Sequence, residues 1–152
     1  MHKYEARIAW KRDGAKFTDN RYSRLHEWSF DGGVTVRASS SPLTVRLPHS
    51  VAEAVDPEEA LVAATSSCHM LWFLSLAAQR GFVVDSYSDD AFGVMEKNAD
   101  GKLAFTRITL RPRIEFAGDR PPSADELASL HHKAHEECFI SNSLKCEVVV
   151  EG

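Results

Sequence analysis

A chain of 152 residues, 43% apolar and 26% charged, has the size and balance of one soluble globular domain, and a single domain over residues 1–152 is expected. Eighteen Lys plus Arg against 22 Asp plus Glu leave a net charge of −4. That excludes a broad basic face, so no nucleic-acid partner is expected. The first ten residues lack the apolar stretch of a secretory signal, and three cysteines are too few for a disulfide scaffold. A reducing, cytoplasmic setting is the expectation.

From the N-terminus, apolar and polar residues alternate over residues 2–10, the period of a half-buried strand. A polar loop follows over 12–21. Asp31-Gly32-Gly33 then turns a strand at 24–30 into another at 34–38. Ser39, Ser40, Ser41 and Pro42 open an excursion that lasts to Val55, with one short strand expected at 43–47. Asp56-Pro57-Glu58-Glu59 is a helix start: Asp56 suits the N-cap, Pro57 the first helical position and Glu59 the reciprocal partner. The helix is expected to run to about Arg80, with Gly81 as its left-handed stop. Almost every position over 60–78 is apolar or small, so burial on most sides is predicted. Thr65, Ser66, Ser67, His69 and Ser75 argue against a membrane span.

Strands are predicted at 83–87 and 91–97, then a turn at 98–101 and a return strand over 103–116. Pro112 places that return strand at a sheet edge or in a bulge. Ser123 and Glu126 form a second capping box that opens a helix over 124–137, and a last strand covers 144–151. The fold class is α+β, with two principal helices separated by a β-hairpin.

Cys68 sits in the middle of the long helix, beside a serine pair and His69. These polar neighbours are expensive in an apolar core and point to a polar pocket. Cys138 ends the other helix on its core-facing stripe. If the two helices pack, the two thiols fall within disulfide reach. Cys146 alternates with Val148 and Val150 and reads as core. His131, His135 and Cys138 share one helical face, which invites a zinc reading, but no fourth ligand is spaced to match them. No metal or other cofactor is expected. GxSxG, P-loop and GxGxxG motifs are absent from the sequence.

The run 56–68, DPEEALVAATSSC, resembles the (N/D)PE…A…(S/A)C signature of the OsmC/Ohr family, the osmotically inducible and organic hydroperoxide resistance proteins. The run 134–143, AHEECFISNS, resembles that family's AHxxCPxSN motif. The resemblance implies an OsmC-like fold, with antiparallel sheets packed around the two helices in an intertwined homodimer. It further implies a thiol peroxidase that takes organic hydroperoxides and is restored by an external dithiol. Cys68 matches the peroxidatic cysteine, Cys138 the resolving cysteine and Glu58 the active-site glutamate. An arginine of the N-terminal strands completes the site, Arg24 by its distance from the Asp31-Gly32 turn, with Arg21 as the alternative. Phe139 stands where the family has proline and His69 where phenylalanine is common, so both are expected to shape the pocket. The segment 21–24 also lacks the family's glycines.

The chemistry sets physical conditions on these residues. An ordinary thiol is only about 3% thiolate at neutral pH. Lowering its pKa by roughly three units takes about 4 kcal/mol of differential stabilisation. A guanidinium in a partly dry pocket supplies such an effect and polarises the peroxide as well, and a carboxylate would hold it in place. Glu58 lies ten residues before Cys68, about 15 Å of helical rise, so either the helix breaks between them or a second copy brings Glu58 across an interface. Met70, Trp72, Phe73 and Phe139 are candidates for an apolar pocket wall. Two rivals stand beside the peroxidase: a Cys-His hydrolase or transferase using His69 or His135, and a non-enzymatic thiol or zinc binder.

Overall fold

The N-terminal alternation yields three short strands in the computed structural model, which describes residues 1–151. They are β1 (Ala6–Ala9), β2 (His26–Phe30) and β3 (Thr35–Ala38), antiparallel in the order β1-β2-β3. Ile8 faces Trp28, and Trp28 faces Val36 across the sheet. The β2–β3 turn closes where Phe30 N–H donates to Val34 O and Gly33, at φ +95°, takes the left-handed position. The strand expected at 43–47 does not form. The N–H groups of Thr44 and Val45 both donate to the Ser41 carbonyl, which curls the segment into turns and leaves no ladder donors there. The excursion returns to β3 through a parallel bridge between Val55 and Ala38.

The chain divides into two compact units, Met1–Ala60 and the remainder from Leu61. Helix α1 (Pro57–Gln79) opens with the expected reciprocal cap: Glu59 N–H donates to Asp56 Oδ1 at 2.8 Å and Asp56 N–H to Glu59 Oε1 at 2.9 Å. It ends in a Schellman motif. Gly81 N–H reaches Ala78 O, Phe82 N–H reaches Ala77 O, and Gly81 adopts φ +82°.

The expected burial of α1 on most sides is not met. One stripe, Thr65, His69, Phe73 and Ala77, is buried, while Leu71 is 60% exposed. The reason is composition: a helix apolar on every side presents more surface than its own chain covers. By length and apolarity α1 would also cross a bilayer. Its polar residues, however, bond to the protein, with Thr65 Oγ1 donating to Leu61 O and Ser66 Oγ to Asp89 Oδ2.

Beyond α1 come β4 (Val83–Asp89), β5 (Phe92–Lys97), β6 (Leu103–Leu110) and β7 (Pro112–Ala117). The single return strand expected over 103–116 is two strands in two sheets. β6 pairs with β5, and β7 pairs with β4. The break falls at Arg111, whose N–H donates to Asp89 Oδ1 at 2.6 Å rather than to a ladder. Pro112 therefore starts β7, where its missing N–H is harmless, and the expected edge or bulge becomes a change of sheet.

Helix α2 (Ala124–Glu137) carries the predicted capping box of Ser123 and Glu126. A further helix, α3 (Phe139–Ser143), was not expected. The last strand, β8 (Glu147–Val150), joins β6 in parallel, the exception in otherwise antiparallel sheets. Phe73 and Ala77 of α1, Phe82, and Leu130 and Ala134 of α2 form the buried core, covered by Val84, Tyr87, Ile114 and Phe116 from β4 and β7. This packing of α1 on α2 brings Cys68 and Cys138 toward each other.

Candidate active site

Cys138 is the hinge between two helices. With φ −62° and ψ 114° it ends α2 and caps α3, its Sγ accepting the Ser141 N–H at 3.4 Å. Because the chain restarts as a helix at once, the first N–H groups of α3 have no helical partners of their own. Those of Phe139 and Ile140 act on the sulfur of Cys68, and the Cys138 thiol lies beside it, close enough for each to move its pKa. Cys138 is fully buried and Cys68 half-buried, and both are free thiols. Cys146 is likewise free and half-buried, just before β8.

Burial pushes the Cys68 thiol above its ordinary pKa, and the Cys138 thiol beside it adds to the rise. The Ile140 and Phe139 N–H groups pull the other way, because they stabilise the thiolate. The balance remains upward, so these two donors alone do not make the nucleophile the chemistry needs. One turn along α1, the Trp72 ring meets Phe139 edge-on with centroids 5.5 Å apart, and Phe139 is 65% exposed. Since Phe139 directly follows Cys138, the two rings form an apolar wall next to it in the chain.

His69 does not join that wall. Its ring is wholly buried, stacked on His131 with centroids 5.3 Å apart, and its Nε2 shares a 3.0 Å hydrogen bond with His131 Nδ1. Burial, then the neighbouring His131 and His135, hold its pKa down at about 4. A base held at so low a pKa is poorly matched to deprotonating Cys68, as the hydrolase reading requires of His69. Burial also lowers His131, opposed by Asp89 of β4. Sequence reasoning expected a polar pocket from the serine pair and His69 but missed their partners, Asp89 for Ser66 and His131 for His69. The signal was the polar pair at spacing i, i+3 inside an apolar helix. Among the described residues, no three His, Cys, Asp or Glu side chains are grouped to hold a metal ion.

The other anticipated residues belong to the N-terminal unit. Arg24 is half-buried, with its guanidinium 3.7 Å from the centre of the Tyr22 ring. Nη1 donates to Asn20 O and Tyr22 O, and Nη2 to Asn20 Oδ1. It lines a cavity of about 370 Å³ with Trp10, Phe17 and Tyr22 among the walls. Arg21 is exposed, its backbone N–H held by Asp19 Oδ1. Glu58, in the first turn of α1, has a buried Oε2 with no hydrogen-bond partner among the described residues. Because α1 is unbroken from Pro57 to Gln79, the alternative in which the helix breaks between Glu58 and Cys68 is removed.

Comparison with known proteins covers the whole chain. A solved structure of an OsmC-like protein of unknown function from Vibrio cholerae is 52% identical, with a TM-score of 0.97 over 99% of both chains. An organic hydroperoxide resistance protein from Elizabethkingia anophelis is 14% identical, with a TM-score of 0.72 over 100% of this chain and 97% of the other. The organic hydroperoxide resistance protein OsmC from Legionella pneumophila is 15% identical, with a TM-score of 0.69 over 100% and 98%. At those identities the last two show the shared fold. No match is found among curated proteins. The sequence pattern described as OsmC-like protein matches residues 50–151. With that match and the 52% identical structure, the chain belongs to the OsmC-like family.

Proposed function

We propose that this protein is a thiol-dependent peroxidase acting on organic hydroperoxides, and on hydrogen peroxide to a lesser degree. The observation that carries the reading is the proximity of the Cys68 and Cys138 thiols, with two backbone N–H groups acting on Cys68. Family membership and relatives named for hydroperoxide resistance support it. In the proposed cycle the Cys68 thiolate attacks the peroxide O–O bond. Its sulfur gains one oxygen as a sulfenic acid, and the alkoxide leaves as an alcohol after taking a proton. The Cys138 thiol then displaces the sulfenic oxygen as water, forming a Cys68–Cys138 disulfide. An external dithiol supplies two electrons and two protons to restore both thiols.

Arg24 is proposed to stabilise the thiolate and the departing alkoxide, and Glu58 to orient it. Since Glu58 stands about 15 Å of rise from Cys68 on one continuous helix, the reading places it across an interface in a homodimer. The exposed Leu71 on α1 and the unpartnered Glu58 Oε2 support such an interface. Turnover through a dithiol fits a cytoplasmic protein with no membrane or nucleic-acid partner.

The test is to treat reduced protein with one equivalent of cumene hydroperoxide and map its thiols by mass spectrometry. A Cys68–Cys138 disulfide with Cys146 free is expected, and Cys138→Ser is expected to accumulate oxidised Cys68. Undiminished peroxide consumption by Cys68→Ser would overturn the reading.

A further inference from the structure

Away from the thiol pair, α2 and β8 enclose a cavity of about 460 Å³ that the peroxidase chemistry does not use. Its floor is apolar, built from Leu127, Ala128, Val148 and Val150, and its wall carries His131, His132 and His135. The histidine wall is a built one. His131 is only 8% exposed and is anchored from behind by the fully buried His69 through the 3.0 Å Nε2–Nδ1 hydrogen bond. His131 Nε2 has no hydrogen-bond partner among the described residues and is left accessible at the cavity, which His131 lines. An accessible ring nitrogen on a ring held fixed from behind offers a ligand a preorganised hydrogen-bonding point.

The charge in and around the cavity selects the ligand. No carboxylate lines it, so a cationic ligand would meet no countercharge. Around His131 stand His69 from α1, Asp89 from β4, and His132 and His135 on α2, while β8 presents valines. His132 already pairs with Glu136 at 2.9 Å. We propose that this cavity is a binding site for a small carboxylic acid with an apolar tail, bound as the carboxylate together with one proton taken from solvent. The tail lies on Leu127, Val148 and Val150. The proton settles on His131, which then donates from Nδ1 to His69 Nε2 and from Nε2 to the carboxylate. Ligand and proton enter together, so no net charge is buried. Burial disfavours the charged form of His131 in the free protein, and the incoming anion opposes that preference. Affinity therefore rises as pH falls, by up to about tenfold per unit over the range where the free site is neutral and the acid ionised.

Isothermal titration calorimetry of the full chain with octanoate tests the inference, run in two buffers of different ionisation heat so that proton uptake is counted. Expected are saturable binding with close to one proton taken up, octanol binding at least about tenfold more weakly, and loss of binding in Ala128→Trp. Ala128 is exposed on α2, so the larger ring fills the cavity without entering the core. His131→Gln is expected to lose proton uptake. Absence of octanoate binding, equal affinity for octanol, binding without proton uptake, or undiminished binding by Ala128→Trp would each overturn the site. The proposal is independent of the peroxidase cycle, since none of its readouts involves a thiol.

Discussion

Replacing Phe139 by proline isolates one hydrogen bond at the nucleophile. The Phe139 N–H is one of two backbone N–H groups that lower the Cys68 pKa, and proline has none. The substitution suits the local backbone. Phe139 is the first residue of α3, the helical position that best accepts proline, and Cys138 at φ −62° and ψ 114° is already extended, as a residue preceding proline must be. A full hydrogen bond to a charged group is worth about 1.5–3 kcal/mol, and Phe139 is the weaker of the two N–H contributions, so its loss raises the Cys68 pKa by at most about one unit. The measurement is the ultraviolet thiolate absorbance against pH in a Cys138→Ser, Cys146→Ser background, which leaves a single thiol and keeps a capping side chain at 138. Phe139→Leu is the control: it removes the ring facing Trp72 and retains the N–H. The expected result is a pKa raised by Phe139→Pro and unmoved by Phe139→Leu. Equal shifts in both variants, or none in Phe139→Pro, would refute the assignment of this donor.

The buried His69 predicts acid lability. Its pKa is about 4 in the folded chain against about 6.5 unfolded, so between those values the unfolded state binds more protons and stability falls as pH falls. The loss approaches about 3 kcal/mol when complete, and urea midpoints measured down through that window are expected to show a flatter slope in His69→Gln. If the slope is unchanged, His69 is not the group responsible. Leu130→Ala, at a fully buried position between Phe73 and Ala134, is expected to lower unfolding stability by about 2–5 kcal/mol in urea titrations. Gly93→Ala puts a methyl group 2.4 Å from Phe105 Cε1 and 3.1 Å from Val62 Cγ2, so a loss of about 1–3 kcal/mol is expected in the same assay. An unshifted midpoint would mean that the β5–β6 pair yields freely there.

The local signals of the chain carried most of the element list. Asp56 with Glu59 and Ser123 with Glu126 start helices through bonds spanning three residues, and Gly81 ends one through its own backbone freedom. Interactions so close in sequence are legible without knowing the fold. The two cysteine motifs were legible for the same reason, and they led to a family that the full-chain comparisons bear out. Helix α3 escaped notice because five residues carry no measurable periodicity. At 43–47, a turn held by one serine carbonyl outcompeted the β-branched pattern.

Tertiary structure decided everything that depends on partners distant in sequence. Apolar alternation over 103–116 is the same for one strand or two. Only the bond between Arg111 N–H and Asp89 shows that the chain changes sheets there. His69 and His131 are 62 residues apart, and nothing local in either segment marks them as a stacked, buried pair. Cys68 and Cys138 were candidates by motif, but their proximity rests on α1 and α2 sharing one core. Sequence patterns report which face of an element is apolar. Which element meets that face is set by packing of the whole, because the hydrophobic effect is strong but non-directional.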